Sequence, residues 1–224
     1  MATSHILPLF PTAVGLYNMG EELHEMNQSL VADILSESKK DSTGIRQSNL
    51  GGWHSECGLE DKYESFSLLK ENIQICVDNY CDQTFLSDSK YTCVGGIWAN
   101  VNNSGDINLP HHHSGSVMTG VYYPLKEIVK GKPFYNYQKD VTLLPGSWTA
   151  EKGGGSIIFH DPAHGQKTHY NTSGVTPYNM QHYHVYPVSW LLVLFPPYLL
   201  HTVTPFKEKK TRLSISFCCR YGTN

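Results

Sequence analysis

The chain has 224 residues, which is enough for one domain with its own hydrophobic core. Hydrophobic residues make up 40%, charged residues 17%, and the formal net charge is −3, which argues against a general nucleic-acid binder or a protein held by charge on anionic membranes. We predict a single domain over 1–224, with mostly helical support at 1–90 and a β core at 91–224.

The cysteines and the chain start bear on cellular location. The six cysteines form no Cys-x-x-Cys pair and no zinc spacing, and the chain opens without the basic and apolar segments of a signal peptide. The longest apolar run, 190–195, has the length of a buried strand and not of a membrane span. We therefore expect reduced thiols, a cytoplasmic protein and no use of the sequons at Asn27, Asn102 and Asn171.

The first half of the chain predicts helices. Residues 6–16 alternate loosely and contain two prolines, which is typical of a short edge strand. Apolar residues then recur at helical spacing over 20–38 and again over 63–80, which predicts two amphipathic helices. Between them, the segment Gly51–Ser55 predicts a turn with a buried aromatic residue.

After residue 91 the apolar period changes to two, which predicts strands. Helices first and strands afterwards indicate an antiparallel sandwich or barrel with helices on one face. The Gly-, Lys- and Pro-rich segment 126–154 predicts an insertion that serves as a lid or loop. The strand candidates are 91–102, 116–125, 155–160, 190–195 and 212–219, with shorter ones near 135–144 and 176–184.

Three adjacent histidines, His111, His112 and His113, stand where a loop meets a strand. Because side chains alternate along a strand, His111 and His113 share a face and His112 points away. Imidazole suits iron, zinc, copper and nickel, so this pair is half of a metal site. We expect His201 to complete it, and small residues such as Gly120 to leave room for a ligand.

A polar loop without metal is the other interpretation of the histidine run. Asp161 is the carboxylate that could replace a histidine ligand, although Asp before Pro is common at strand ends. His182 and His184 repeat the His-x-His spacing, but we interpret them as ordinary strand residues. Three more histidines in the second half of the chain could compete as metal ligands: His160, His164 and His169.

The last predicted strand carries a polar stripe. Arg212, Ser214 and Ser216 share one face, and the opposite face is strongly apolar. An arginine fork beside a hydroxyl suits a carboxylate bound at two oxygens. In a closed barrel such a stripe lines the cavity; the alternative is an exposed strand arginine.

Seven segments, in this order, resemble one family: LFPT at 9–12, SNLGGWHS at 48–55, WANV at 98–101 followed by His111-x-His113, TGVYY at 119–123, GSIIFHDP at 155–162, LFPPYLLH-x-V at 194–203 and R-x-S-x-SF at 212–217. Each is weakly specific alone, but together they cover most of the chain. The chain is similar to the 2-oxoglutarate/Fe(II) oxygenases found in marine bacteria and their phages.

The resemblance implies a double-stranded β-helix, a jelly-roll and cupin-like barrel supported by the N-terminal helices. It implies a non-haem iron dioxygenase that uses Fe(II), dioxygen and 2-oxoglutarate, releases succinate and CO₂, and hydroxylates a substrate that the sequence does not identify. It implies that Fe(II) is held by His111, His113 and His201. It also implies a location in the host cytoplasm if the protein is phage-encoded.

The resemblance also implies where 2-oxoglutarate binds. Arg212, helped by Ser214, pairs with the distal carboxylate. Tyr122 adds a hydrogen bond, or Tyr123 does if that ring faces inward. Asn100 is a further candidate for the cosubstrate site.

One position departs from the wider superfamily, which carries His-x-Asp or His-x-Glu before the distant histidine. Here the carboxylate position holds His113. We predict a three-histidine site, with two alternatives: a carboxylate such as Asp161 joins the metal, or His113 does not bind and leaves an open position as in halogenating relatives.

Two other functions fit the same residues. A cupin-like three-histidine dioxygenase would use no 2-oxoglutarate, and Arg212 would bind a carboxylate of the substrate. A non-enzymatic binding or structural barrel would hold zinc or nothing. The apolar first strand is also compatible with a homodimer.

Overall fold

The computed structural model describes residues 10–20, 23–84, 92–124, 154–163, 179–205 and 211–222. The predicted insertion at 126–154, except for its last residue, and the predicted strand near 135–144 lie outside these ranges. Residues 176–178 of the candidate strand near 176–184 lie outside them too, and its described residues contain a strand that begins at His182.

Two long helices lie where the apolar period predicts them, and a short one precedes the second. Leu30 and Ile34 of the first long helix, and Leu69 and Ile73 of the second, are completely buried, as expected for the apolar faces of amphipathic helices. The bounds are α1 His24–Lys40, α2 Leu59–Lys62 and α3 Glu64–Thr84.

The strands pair antiparallel throughout the described residues, and the five longer strands predicted after residue 91 are present with small shifts at their ends. Their bounds are β1 Gly15–Asn18, β2 Asn49–Leu50, β3 Trp53–His54, β4 Thr92–Asn102, β5 Ile107–His111, β6 Met118–Tyr122, β7 Ile157–His160, β8 His182–Val185, β9 Leu191–Phe195, β10 His201–Val203 and β11 Arg212–Tyr221.

The first strand is a correction. The sequence predicts it at 6–16, whereas β1 begins at Gly15. Proline has no N–H to donate to a ladder, so pairing with β9 starts only after Pro11. The strand does lie at a sheet edge, as predicted.

The strands form two facing sheets. The six-stranded sheet has the order β1-β9-β6-β11-β4-β3, and the five-stranded sheet has the order β2-β5-β10-β7-β8. Leu213, Ile215 and Phe217 of β11 pack with the helices on the outer face of the larger sheet. Val193 and Phe195 of β9 belong to the second core, between the sheets. The predicted antiparallel β core with helices on one face is therefore confirmed.

A β-bulge in β4 changes which side chains face inward. Ser216 pairs with Trp98 but Cys218 pairs with Gly95, so β4 carries one extra residue. Gly96, at φ 57°, takes up the left-handed backbone of the bulge. The Ile97 N–H donates to Oε2 of buried Glu60, at 3.0 Å, which satisfies the displaced backbone.

Two further findings concern the helices and the cysteines. No helix in the described part of the chain has the length and apolar character needed to cross a membrane. All six cysteines lie in described ranges, and all are free thiols.

We predict that Gly120→Ala destabilises the fold. A Cβ at Gly120, on β6, would lie 2.5 Å from Phe217 Cζ and 2.6 Å from the Val193 carbonyl oxygen. Relieving these overlaps is expected to lower the free energy of unfolding by about 1–3 kcal/mol, measured by urea denaturation. Gly95→Ala is the matched control, since its Cβ would meet only Glu60 Oε1, at 3.9 Å. Equal losses in both variants would contradict this explanation.

Candidate functional site

A cavity of about 270 Å³ lies between the two sheets. Residues of β3, β4, β6, β9 and β11 line it from the larger sheet, and residues of β5, β7 and β10 line it from the smaller one. The side chains of His111, His113, His201 and Arg212 belong to its wall.

Three histidines meet at one end of the cavity. One ligand atom from each of His111, His113 and His201 lies within 4.8 Å of the others. The antiparallel pairing of β5 with β10 sets His111 directly opposite His201, with ring centroids 4.2 Å apart. The strand β5 ends at His111, and the His113 N–H then donates to the Pro197 carbonyl at 2.9 Å. The structure thus joins the two halves that the spacing predicts, and leaves His112 exposed.

The outer hydrogen bonds of two rings orient their nitrogens. Nδ1 of His111 lies 2.7 Å from the Leu109 carbonyl oxygen, and Nδ1 of His201 lies 2.9 Å from the Leu199 carbonyl oxygen. A carbonyl oxygen only accepts, so each Nδ1 carries the hydrogen and each Nε2 keeps its lone pair. This is the tautomer of a metal ligand whose other nitrogen is fixed by the protein.

The protonation of the three rings also suits a metal. Burial, reinforced by the neighbouring imidazoles, lowers the pKa of His201 to about 3 and the pKa of His113 to about 4. Burial likewise lowers the pKa of His111. All three rings are therefore neutral near pH 7, and a neutral imidazole is the form that binds a cation.

At the other end of the cavity lies a buried guanidinium. Arg212 is only 2% exposed. Its Nη1 donates to Asn102 Oδ1 and Ser214 Oγ, both at 3.2 Å, and its Nη2 donates to the Tyr123 hydroxyl at 3.4 Å. Its Nε is buried and has no hydrogen-bond partner among the described residues.

No acidic side chain pairs with Arg212 in the described ranges, where the one ion pair joins Lys62 to Glu37. A buried cation whose partners are all neutral is costly, by several kcal/mol, unless an anion compensates it. This end of the cavity therefore favours an anionic ligand.

The tyrosine assignment needs a correction. Tyr122, predicted to contact the cosubstrate, lies on the helix side of β6 and donates to Asn27 Oδ1 at 2.7 Å. Tyr123, the next residue, lies in the cavity wall beside Arg212. Burial raises the pKa of Tyr123, so its phenol keeps its hydrogen. Since that oxygen accepts from Arg212, the hydrogen remains for a ligand.

Asn100, Ser214 and Ser216 lie in the cavity wall, and the Asn100 amide donates to Ser216 Oγ at 3.3 Å. Asp161 is not in the metal-binding group; its Oδ1 instead accepts the Ala163 N–H at 3.0 Å. The alternative in which Asp161 joins the metal therefore has no geometric support.

The candidate histidines of β7 and β8 lie outside the cavity wall. His160 pairs with His182 across β7 and β8, and its Nε2 lies 2.9 Å from Thr202 Oγ1. His184 lies near Ser156, with 3.3 Å between its Nδ1 and the Ser156 Oγ. The last two candidates, His164 and His169, fall outside the described residues.

Three residues near the cavity are absent from the sequence-based prediction. His54 stacks on Trp98 in the cavity wall, with ring centroids 5.6 Å apart. Asn102 orients Arg212, and Cys218 contacts His113. The period of two could have found the last two, because Asn102 continues the face of Asn100 and Cys218 continues the stripe of Arg212. His54 sits in a two-residue strand, which is too short to show a period.

Comparison with known proteins gives a family. Residues 96–218, more than half of the chain, match the family model described as "Putative 2OG-Fe(II) oxygenase". No curated protein matches the chain in sequence.

Solved structures share the fold. A prolyl-4-hydroxylase from Pseudomonas putida is 12% identical with a TM-score of 0.60, covering 95% of this chain and 94% of that one. The epimerase SnoN of nogalamycin biosynthesis is 10% identical with a TM-score of 0.61, covering 94% and 78%. The collagen prolyl hydroxylase of Paramecium bursaria Chlorella virus-1 is 11% identical with a TM-score of 0.53, covering 93% and 96%. The predicted double-stranded β-helix is thereby confirmed.

We predict that substituting any histidine of the cluster abolishes tight metal binding, whereas substituting His112 does not. Alanine at His111, His113 or His201 removes one ligand of three, and the expected loss in Co(II) affinity is at least about 100-fold. The measurement is a Co(II) titration of the metal-stripped protein, followed by visible absorbance. His112→Ala is the control, because this exposed ring lies in the same run but outside the cluster. Wild-type affinity in His201→Ala would exclude the site.

Proposed function

Because the chain belongs to the 2OG-Fe(II) oxygenase family, we propose that it hydroxylates an organic substrate. Membership makes it an Fe(II)- and 2-oxoglutarate-dependent oxidoreductase. In the proposed reaction, one atom of dioxygen converts a substrate C–H bond to an alcohol. The other atom enters the succinate that forms when 2-oxoglutarate loses CO₂.

The observation that carries the proposal is the pairing of two complementary ends in one cavity. The histidine cluster has three lone pairs for a metal, and Arg212 offers a positive charge that no described acidic side chain compensates. The molecule 2-oxoglutarate has a metal-chelating 2-oxo acid at one end and a carboxylate at the other. A three-residue face leaves coordination positions open for the chelate and for dioxygen.

We assign the metal to His111, His113 and His201. When bound, Fe(II) supplies the redox chemistry that activates dioxygen. The histidines hold it through Nε2, because the Nδ1 atoms of His111 and His201 are engaged by carbonyl oxygens. A neutral triad leaves more positive charge on the metal than a triad with a carboxylate, which favours an anionic cosubstrate.

We assign the distal carboxylate to Arg212, Ser214 and Tyr123. The guanidinium donates from Nε, which has no other partner in the described residues, and from its terminal nitrogens. The Ser214 and Tyr123 hydroxyls accept from Arg212, so each has a hydrogen to donate to the ligand. Asn102 holds the guanidinium in this orientation. Asn100 and Trp98 also line the cavity that the cosubstrate would occupy.

The rival functions use the same residues. A dioxygenase without 2-oxoglutarate would place a substrate carboxylate on Arg212, and a binding barrel would need no chemistry at the histidines. The family match favours the 2-oxoglutarate-dependent enzyme over both.

Anaerobic titration with Fe(II) and then 2-oxoglutarate tests the proposal. We expect a visible charge-transfer band only when both are present, because bidentate chelation produces it. Arg212→Ala should weaken 2-oxoglutarate binding by about 100-fold or more, since it removes the buried charge partner, and should leave Fe(II) binding unchanged. The matched control is Arg220→Ala, an exposed arginine on the same strand.

A bound iron without the band would support the dioxygenase that needs no 2-oxoglutarate. Failure to bind iron would support the non-enzymatic barrel. Unchanged 2-oxoglutarate affinity in Arg212→Ala would exclude this residue as the carboxylate anchor.

The adjacent tyrosines provide a second prediction. Tyr123→Phe removes a hydroxyl that contacts Arg212 and is expected to raise the KM for 2-oxoglutarate by about 5- to 20-fold. Tyr122→Phe removes the hydrogen bond to Asn27 instead, and should lower the free energy of unfolding by about 1–2 kcal/mol without changing that KM. Steady-state kinetics and urea denaturation separate the two. A raised KM in Tyr122→Phe with an unchanged KM in Tyr123→Phe would instead assign Tyr122 to the cosubstrate site.

A further inference from the structure

Among the described residues, the ring of His113 has no backbone partner like those that fix the rings of His111 and His201. The His113 ring packs between Trp98 and Phe195, with centroid distances of 5.8 Å and 6.5 Å. Such contacts set the position of the ring but do not determine which way its nitrogens point. A half-turn about the Cβ–Cγ bond exchanges nitrogens for carbons with little change in shape. A polar partner must therefore select the orientation.

That partner is a thiol. In the described part of the chain, the side-chain hydrogen-bond partner of His113 Nδ1 is Cys218 Sγ, at 3.8 Å. Cys218 continues the cavity-facing stripe of Arg212, Ser214 and Ser216 along β11. Sulfur both donates and accepts weakly, so its own surroundings decide which it does here.

The neighbouring strand fixes the direction of this contact. The Thr119 hydroxyl donates to the Phe217 carbonyl oxygen at 2.7 Å, and this commits its hydrogen. The Thr119 oxygen is therefore left to accept from the Cys218 S–H, at 4.0 Å. With its hydrogen directed at Thr119, the sulfur presents lone pairs to His113 and accepts from Nδ1–H.

We propose that Cys218 is a positioning residue that holds His113 with Nδ1–H on the sulfur and Nε2 free for the metal. The inference rests on the proposed function, in which the three histidines hold Fe(II). It gives His113 an outer acceptor equivalent to the carbonyl oxygens of Leu109 and Leu199. It applies to the position where the wider superfamily has a carboxylate, which needs no choice of tautomer.

The first test reads the tautomer of His113 without metal. Long-range ¹H–¹⁵N correlation of histidine-labelled protein shows which ring nitrogen carries the hydrogen, and His113→Gln identifies the signal. We expect hydrogen on Nδ1 in the wild type, loss of that preference in Cys218→Ala, and its retention in Cys218→Ser, where a hydroxyl still accepts. The same tautomer in the wild type and Cys218→Ala would overturn the proposal.

Thr119→Val is a second variant that leaves the thiol in place. It removes the acceptor of the S–H, so the thiol can donate to Nδ1 and favour the wrong tautomer. We expect its ¹H–¹⁵N signal to shift toward hydrogen on Nε2. A spectrum identical to the wild type would contradict the claim that Thr119 sets the direction of the hydrogen bond between Cys218 and His113.

Co(II) titration provides the functional measurement. Outer hydrogen bonds to ligating histidines change metal affinity by about 10- to 100-fold, and a weak sulfur acceptor belongs at the lower end, so we expect about a tenfold loss in Cys218→Ala. Cys218→Ser should bind close to the wild-type value. The control is Cys57→Ala, an exposed thiol outside the stripe.

The outcomes separate this inference from the proposed function. A wild type that binds Co(II) tightly, with equal affinity in Cys218→Ala, would overturn the role of Cys218 alone. A wild type that binds no Co(II) would overturn the proposed function. A tenfold loss that Cys218→Ser restores supports both.

Discussion

The strand β11 is the constraint on which the rest of the molecule depends. It pairs with β4 on one side and β6 on the other, so neither of its edges is free. The period of two assigns Leu213, Ile215 and Phe217 to the helix-side core and the intervening residues to the cavity. Apolar burial on one face thereby offsets the cost of placing a guanidinium and two hydroxyls inside the protein.

Alternation explains why so much of the site could be predicted. Arg212 and Ser214 lie two residues apart on β11, so one face of that strand determines their orientation. His113 lies two residues beyond the end of β5, and the hydrogen bond from its N–H to the Pro197 carbonyl holds it there, which the spacing does not show. The residue type of His201 makes it a candidate metal ligand, and the pairing of β5 with β10 places it opposite His111. No local pattern could give that register, because it depends on contacts between residues far apart in sequence.

The wrong tyrosine, and the features that the sequence does not predict, also have physical explanations. Every residue of β6 is buried, so the sequence shows no alternation from which to choose between Tyr122 and Tyr123. The bulge in β4 reverses the alternation of that strand, so that Val94 faces the helices although it is an even number of residues from Trp98. The short helix α2 and the two-residue strands β2 and β3 are too brief for any period to show. Such features depend on packing and not on local sequence pattern.

The two ends of the cavity belong to different sheets, and this has a consequence for the cosubstrate. His111 and His201 lie on the smaller sheet and Arg212 on the larger one. Packing between the sheets, such as the contact of Phe159 with Phe195 at 4.8 Å between ring centroids, sets the span between them. Close packing of the two sheets holds the span between the histidines and Arg212 constant. In the proposed binding mode, a 2-oxo diacid shorter or longer than 2-oxoglutarate would therefore reach only one of these two groups.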